Sequence, residues 1–283
     1  MAYLLLVAAV SIGTIPVVVY KSAMETNARR QPMLAVERVI AVTFYCLYAL
    51  VASDGYTYSP QVAVLALVGG VIVAVSRLML LTAMRLGPAG MSWTILTLSI
   101  CLPVLFSIAW GERPTAWQTS GLLLVPACIM LMGHRTGSGQ ARPTTRGWLL
   151  YILLAFLLEG IIGTIFKLVE ELELGPSRYM FMLLFNFVAL AVFIGAATAK
   201  SALPRRLEVR RGIQSGLCFA IAGVFWIEAI LLMPGIVFFP IATVSGMIIT
   251  VVIMRLAWNE RLNSMQLCGL ALALAAIAMI TAA

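Results

Sequence analysis

A chain of 283 residues that is 62% hydrophobic and only 11% charged cannot hide its apolar surface in one water-soluble core, because soluble domains carry about 25% charged residues. Lipid is therefore the solvent for most of it, and the chain reads as an all-α integral membrane protein. The formal charge of +8 does not point to nucleic acid, since the basic residues sit in short loops between apolar runs with no soluble domain to present them.

A span needs about 20 apolar residues, which places ten transmembrane helices near 2–20, 34–53, 62–84, 89–110, 116–133, 147–167, 178–198, 212–232, 236–257 and 264–282. The first run opens at Met1-Ala-Tyr without a basic leader or a small-residue cleavage site, which predicts a retained first helix. Only Met233-Pro234-Gly235 separates the eighth run from the ninth, so nine spans is the alternative count. Cys46, Cys101, Cys128, Cys218 and Cys268 all fall inside apolar runs, where they read as packing residues rather than as a disulfide or metal framework.

Orientation follows from the excess of Lys and Arg in cytoplasmic loops. Fourteen of the nineteen basic residues, Lys21, Arg29, Arg30, Arg85, Arg135, Arg142, Arg146, Lys200, Arg205, Arg206, Arg210, Arg211, Arg255 and Arg261, lie in the odd-numbered loops. The even-numbered connections carry Asp54, the acidic run Glu170, Glu171 and Glu173, and only Lys167, Arg113 and Arg178 as basic residues at or near them. The odd loops are thus expected in the cytoplasm and both termini outside it, in the cell (inner or plasma) membrane.

An internal repeat is the most specific signal. Ala109-Trp110-Gly111-Glu112-Arg113, with Gln118, Gly121 and Leu122, recurs as Ala257-Trp258-Asn259-Glu260-Arg261, with Gln266, Gly269 and Leu270, at a constant offset of 148. Lys21 and Lys167 repeat at 146. An odd number of helices per unit turns the second copy upside down, so the expected architecture is two inverted five-helix repeats, 1–133 and 147–283, joined by a basic cytoplasmic linker over 134–146. A solute path is expected between the halves.

These residues resemble the drug/metabolite transporter superfamily and, within it, the ten-helix EamA-type permeases. Ala83-Met84-Arg85-Leu86-Gly87-Pro88-Ala89-Gly90 is similar to the family's turn between helices 3 and 4, Pro103 to its helix 4 proline, and Gly111-Glu112-Arg113 with Gln118 and Gly121 to its signature between helices 4 and 5. The resemblance implies a proton-coupled, exchange-driven or facilitative carrier, often an exporter, of metabolites, nucleotide sugars, amino acids or cationic drugs. It implies a cavity lined by helices 1, 3, 4, 6, 8 and 9, with helices 5 and 10 supporting the fold or a homodimer contact. It also implies cytoplasmic termini, from which the charge distribution departs.

Charged side chains inside a span cost roughly 2.5 to 3.5 kcal/mol on insertion scales, so each needs a reason. Glu159 is the deepest, midway along the sixth span beside Gly163 and Thr164. It is expected to bind a cation or couple a proton, or else to make an interhelical hydrogen bond. Arg77 in the third span and Glu228 in the eighth occupy comparable places in the two copies. They read either as partners for a zwitterionic solute, or with Arg77 neutralised by Glu159 or Glu228.

Thr97 and Ser245, related by the 148 offset, are expected on cavity helices with Trp93 one turn from Thr97 and prolines at Pro103 and Pro240. Trp226, Tyr45 and Asn186 are further lining candidates. Glu37 and Arg38 are expected near the cytoplasmic interface as anchors, and Lys21 and Lys167 to snorkel at helix ends. Glu112-Arg113 and Glu260-Arg261 read as structural helix starts.

An enzyme is disfavoured because His134 is the only His and Asp54 the only Asp, and no GxxxxGK[ST] phosphate loop exists. No cofactor and no metal is expected. The function predicted is secondary or exchange transport of a small polar or charged solute by alternating access; the alternative is a lipid flippase or a non-transporting membrane scaffold.

Overall fold

Proline punctuates a run of long helices. The structure is a computed structural model that describes residues 2–52, 54–87, 89–111, 113–132, 146–199, 203–258 and 264–281. Helix α1 (Ala2–Gly13) runs through Thr14 into α2 (Ile15–Glu25). Pro16 breaks the ladder there, because it lacks an N–H and crowds the carbonyl four residues back; the Thr14 hydroxyl instead donates to Ser11 O at 2.9 Å. After α3 (Arg30–Tyr48) and α4 (Pro60–Leu86), helix α5 (Ala89–Thr97) tightens into a 3-10 turn at Leu98–Ile100 before α6 (Cys101–Trp110). Pro103 accounts for that turn by the same steric rule. Gly111 closes α6 at φ +126° with nothing near its Cβ position, a left-handed stop that suits glycine.

Helix α7 (Ala116–Met132) opens on a reciprocal cap, with Thr115 N donating to Gln118 Oε1 at 2.8 Å and Gln118 N to Thr115 Oγ1 at 3.3 Å. Then come α8 (Arg146–Glu171), a 3-10 turn at Gly175–Ser177, α9 (Arg178–Thr198), α10 (Arg206–Ile230), α11 (Gly235–Trp258) and α12 (Ser264–Thr281). The described residues form helices and turns and no strands. Six helical stretches, 2–25, 60–86, 147–171, 175–198, 206–230 and 241–258, are long and apolar enough to cross a membrane, as in a membrane-embedded, multi-pass protein. The break at Met233-Pro234 separates α10 from α11 as the sequence predicts.

Several boundaries differ from expectation. Helix α2 runs on to Glu25 instead of stopping near residue 20, and α10 starts at Arg206, taking Arg210 and Arg211 into the helix. Glu208 explains the early start, since its carboxylate accepts from Arg205 N at 2.8 Å and from Arg29 Nη2 at 2.9 Å, capping the first turn. Glu112, residues 133–145, which hold all of the 134–146 linker but Arg146, Lys200 and Asn259–Asn263 with Glu260-Arg261 lie outside the described residues.

Helix α4 packs between α8 and α9, α10 packs against α1, α2 and α3, α3 meets α9, α11 lies against α1, α5 and α6, and α7 pairs with α12. Small residues set the closest approaches, as expected where dispersion rather than water exclusion joins helices. A Cβ on Gly70 would stand 2.7 Å from Phe185 O, and one on Gly216 would stand 2.6 Å from Glu37 O.

Candidate functional site

At the centre of the bundle is a cavity of about 250 Å³ lined from α1, α3, α4, α5, α6, α8, α9, α10 and α11. Its walls are largely apolar, with aromatic side chains at Trp93, Phe166, Phe185, Phe219, Trp226 and Phe239. Gly163 lets Pro103 of α6 pack close to α8 at the cavity wall; a Cβ there would lie 2.9 Å from the proline ring.

Two charged side chains meet on one wall. Glu159 Oε1 accepts from Arg77 Nη2 at 2.9 Å, and its Oε2 accepts from Ser76 Oγ at 2.9 Å. The α4–α8 packing creates this corner, because Ser76 and Arg77 reach across to Glu159 from consecutive positions. Arg77 is 6% exposed and the Glu159 side chain 22%, so the acid presents more of itself to the cavity than the base does. A charge pair this far from water survives when each member neutralises the other.

A second polar group faces the first. Arg38 Nη1 donates to Asn186 Oδ1 at 2.7 Å, and Asn186 Nδ2 donates to Met182 O at 2.7 Å. Beside it, Tyr20 OH donates to Glu37 Oε2 at 2.7 Å. Glu37 Oε1 is 3.3 Å from Arg38 Nη2, close enough to pair in charge although neither atom makes a hydrogen bond. The guanidinium carbons of Arg38 and Arg77 lie 5.4 Å and 5.1 Å from the Phe219 ring centre, within cation–π range.

Of the nine side chains picked out from sequence, Glu159, Arg77, Thr97, Trp93, Trp226 and Asn186 line the cavity. Tyr45 is fully buried behind it, its hydroxyl donating to Ala220 O at 3.2 Å. Ser245 is half-buried on α11 beside the lining Gly246 and does not itself line the space. Glu228 is also absent from the lining. It lies at one end of the bundle, where it accepts from Arg178 Nε and from Tyr179 OH, each at 2.5 Å, while Arg178 Nη2 reaches Asp54 at 3.1 Å. Of the two acids proposed as partners for Arg77, Glu159 is the one in contact.

The expectation that Glu37 and Arg38 reach headgroup water is overturned, since they are 0% and 3% exposed. The reason is local: α3 begins at Arg30, so both side chains enter more than a turn inside the helix. The 148-residue offset between Arg38 and Asn186 is the signal that would have placed them together. Lys21 and Lys167 do not snorkel outward either. Lys21 Nζ lies 4.9 Å from the Trp258 ring centre, and Lys167, 1% exposed, pairs with Glu170 at 2.7 Å and Glu171 at 3.0 Å. Phe219, Ser76 and Tyr20 carried no sequence signal, because an aromatic or hydroxyl residue in an apolar run is ordinary packing.

In the loop between α3 and α4, Tyr56 OH donates to Tyr45 O at 2.6 Å. Burial, with Tyr48 and Cys46 nearby, pushes the Tyr56 phenol up to about 12, so it stays a neutral donor that ties the loop to α3. Among the described residues no three His, Cys, Asp or Glu side chains are grouped to hold a metal ion.

No family model and no curated protein matches the chain. Among solved structures, one described only as the crystal structure of a protein is similar over 97% of this chain and 96% of its own, with a TM-score of 0.70 and 17% sequence identity. At that identity the likeness is one of fold.

Proposed function

We propose that this protein is a secondary or exchange transporter for a small polar or charged solute, working by alternating access between two inverted five-helix repeats, 1–133 and 147–283. The carrying observation is a central cavity, walled by helices from both halves, that exposes part of an otherwise buried acid–base pair, Arg77–Glu159. An intramembrane acid that touches a cavity is placed to bind a solute or exchange a proton, whereas one in a closed seam only holds helices together.

The helix packing supports the repeat. Gly70 on α4 meets Phe185 and Val188 of α9, and Gly216 on α10 meets Glu37 and Ile40 of α3. Phe185 and Val188 follow Glu37 and Ile40 by 148 residues, and Gly216 follows Gly70 by 146. Helix α4 on α8 and α9 thus has its counterpart in α10 on α1 and α3, while α7 and α12 pair with each other. On this reading the α1–α2 and α5–α6 rods are single spans, giving ten. Gly223 rather than Glu228 is then the counterpart of Arg77.

Orientation follows the charge. Arg29, Arg30, Arg85, Glu208 and Arg211 gather at one end through contacts among α2, α3, α4 and α10; Asp54, Arg178 and Glu228 gather at the other. The basic end is cytoplasmic by the positive-inside rule, which puts both termini outside. The resemblance to EamA-type permeases supports the transporter class.

Glu159→Gln tests the proposal, because it keeps the shape and removes the charge. Solute flux in proteoliposomes is expected to be abolished or to lose its pH dependence, with the protein still folded. Wild-type flux and pH dependence in that variant would defeat the reading in favour of a scaffold.

A further inference from the structure

The cavity is lined by residues whose buried hydrogen-bond donors are left unmatched. Arg77 Nε and Nη1, Arg38 Nε and Nη2 and Trp93 Nε1 are buried with no hydrogen-bond partner, and all three residues line the space. Glu159, the lining acid, already has both oxygens taken, by Arg77 and Ser76. Buried donors left unmatched are costly, and a solute that brings acceptors satisfies them. A cation would do the reverse: it would have to draw Glu159 away from Arg77 and leave the guanidinium without its counter-charge.

We infer that the solute is a monovalent anion, a carboxylate on an apolar body, held by the unmatched nitrogens of Arg77 and Arg38, and that one proton binds on Glu159 with it. This deepens the transporter reading and rests on it. The carboxylate oxygens accept from the two arginines that lie against the Phe219 ring, and the apolar body lies against Trp93, Phe166 and Phe239.

Charge counting requires the proton. The charged groups joined at the cavity are two cations, Arg38 and Arg77, against two acids, Glu37 and Glu159, with Tyr20 donating to Glu37, whereas the buried Lys21 and Lys167 lie outside the lining. From the other elements around Glu159, α5 and α10 bring no ionisable group to the lining, α1 brings Thr14, and α6 adjoins with the thiol of Cys101. A monoanion entering this neutral set leaves one uncompensated negative charge far from water. Taking up a proton from solution onto Glu159 Oε1 restores neutrality, and frees Arg77 Nη2 for the solute.

Three probes of one shape separate the possibilities: benzoate, benzylammonium and benzyl alcohol, each measured for thermal stabilisation and by titration calorimetry on purified full-length protein, and for flux in proteoliposomes. Benzoate alone is expected to stabilise. It should bind with uptake of about one proton, so that its affinity falls as pH rises, by about tenfold per pH unit at most. Glu159→Gln should bind benzoate at least as well but without proton uptake. Arg77→Gln should weaken it at least about 30-fold. If that variant does not fold, Arg77→Lys, which keeps the charge beside Glu159 but not the guanidinium donors, should still weaken benzoate about tenfold.

Benzylammonium binding in place of benzoate, or benzoate binding with no proton uptake, would overturn the inference. In the first case flux of the cation would leave the transporter reading standing. Absence of binding and of flux for all three probes would count against both.

Discussion

Two corners of the bundle that the proposed repeat sets in register differ in chemistry. In one, Ser76 and Arg77 meet Glu159. In the other, Ala222 and Gly223 stand where the 146-residue offset places the counterparts of Ser76 and Arg77, and Gly13 where it places that of Glu159. A Cβ on Gly13 would make ordinary contact with the Ala222 methyl at 3.6 Å. In both corners two helices pack together, α4 on α8 and α10 on α1, while the charge is confined to the first. A scaffold built from two related halves has no need to differ there, whereas a solute site must be asymmetric to hold a molecule that is itself asymmetric.

The comparison breaks most readily from the charged side. Arg77→Gln leaves Glu159 without its counter-charge, and removing one partner of a buried ion pair costs about 3–5 kcal/mol. A correspondingly large fall in thermal stability together with lost flux is expected. A variant as stable as the parent would mean that water already compensates this pair.

The end of the bundle sharpens the contrast. Glu228 also pairs with an arginine, but its side chain is 28% exposed and Arg178 keeps Asp54 as a second acid. Discounted for solvent screening, Glu228→Gln should cost about 1 kcal/mol or less and leave solute affinity unchanged. A loss of affinity as large as that of the Arg77 variant would make this end part of the solute path.

The smallest effect belongs to the small corner. Gly13→Ala adds a methyl where there is space and improves helix propensity, so stability should hold or rise by up to about 1 kcal/mol. A marked drop would mean that this corner is packed more tightly than the 3.6 Å contact implies.

How far these features were legible in the sequence depended on the physics each rests on. Long apolar runs separated by charged loops gave the helical, membrane-embedded character, because hydropathy over a whole span is a sum over many residues. Glu159 and Arg77 stood out for the same reason, as charges where charges are expensive. Partner choice did not: which of two acids met Arg77 depended on how α4 packs on α8. The interruptions at Thr14 and Leu98–Ile100 followed from Pro16 and Pro103, one residue type acting locally. Arg38 was misplaced because moving a helix start by one turn carries a side chain from the interface into the interior, and a capping acid contributed from Glu208 on another helix is invisible to local pattern. The repeat signature at Gln118 proved to be the cap of α7, which explains its recognisability without giving it a solute.

The most direct test of the central claim is the reach of reagents into the cavity. Thr97, which lines it, is replaced by cysteine in a chain whose five native cysteines have been removed, and a membrane-impermeant thiol reagent is applied in turn to each face of oriented vesicles. Alternating access predicts labelling from both faces, slowed by bound solute. Labelling from one face only, or from neither, would contradict it.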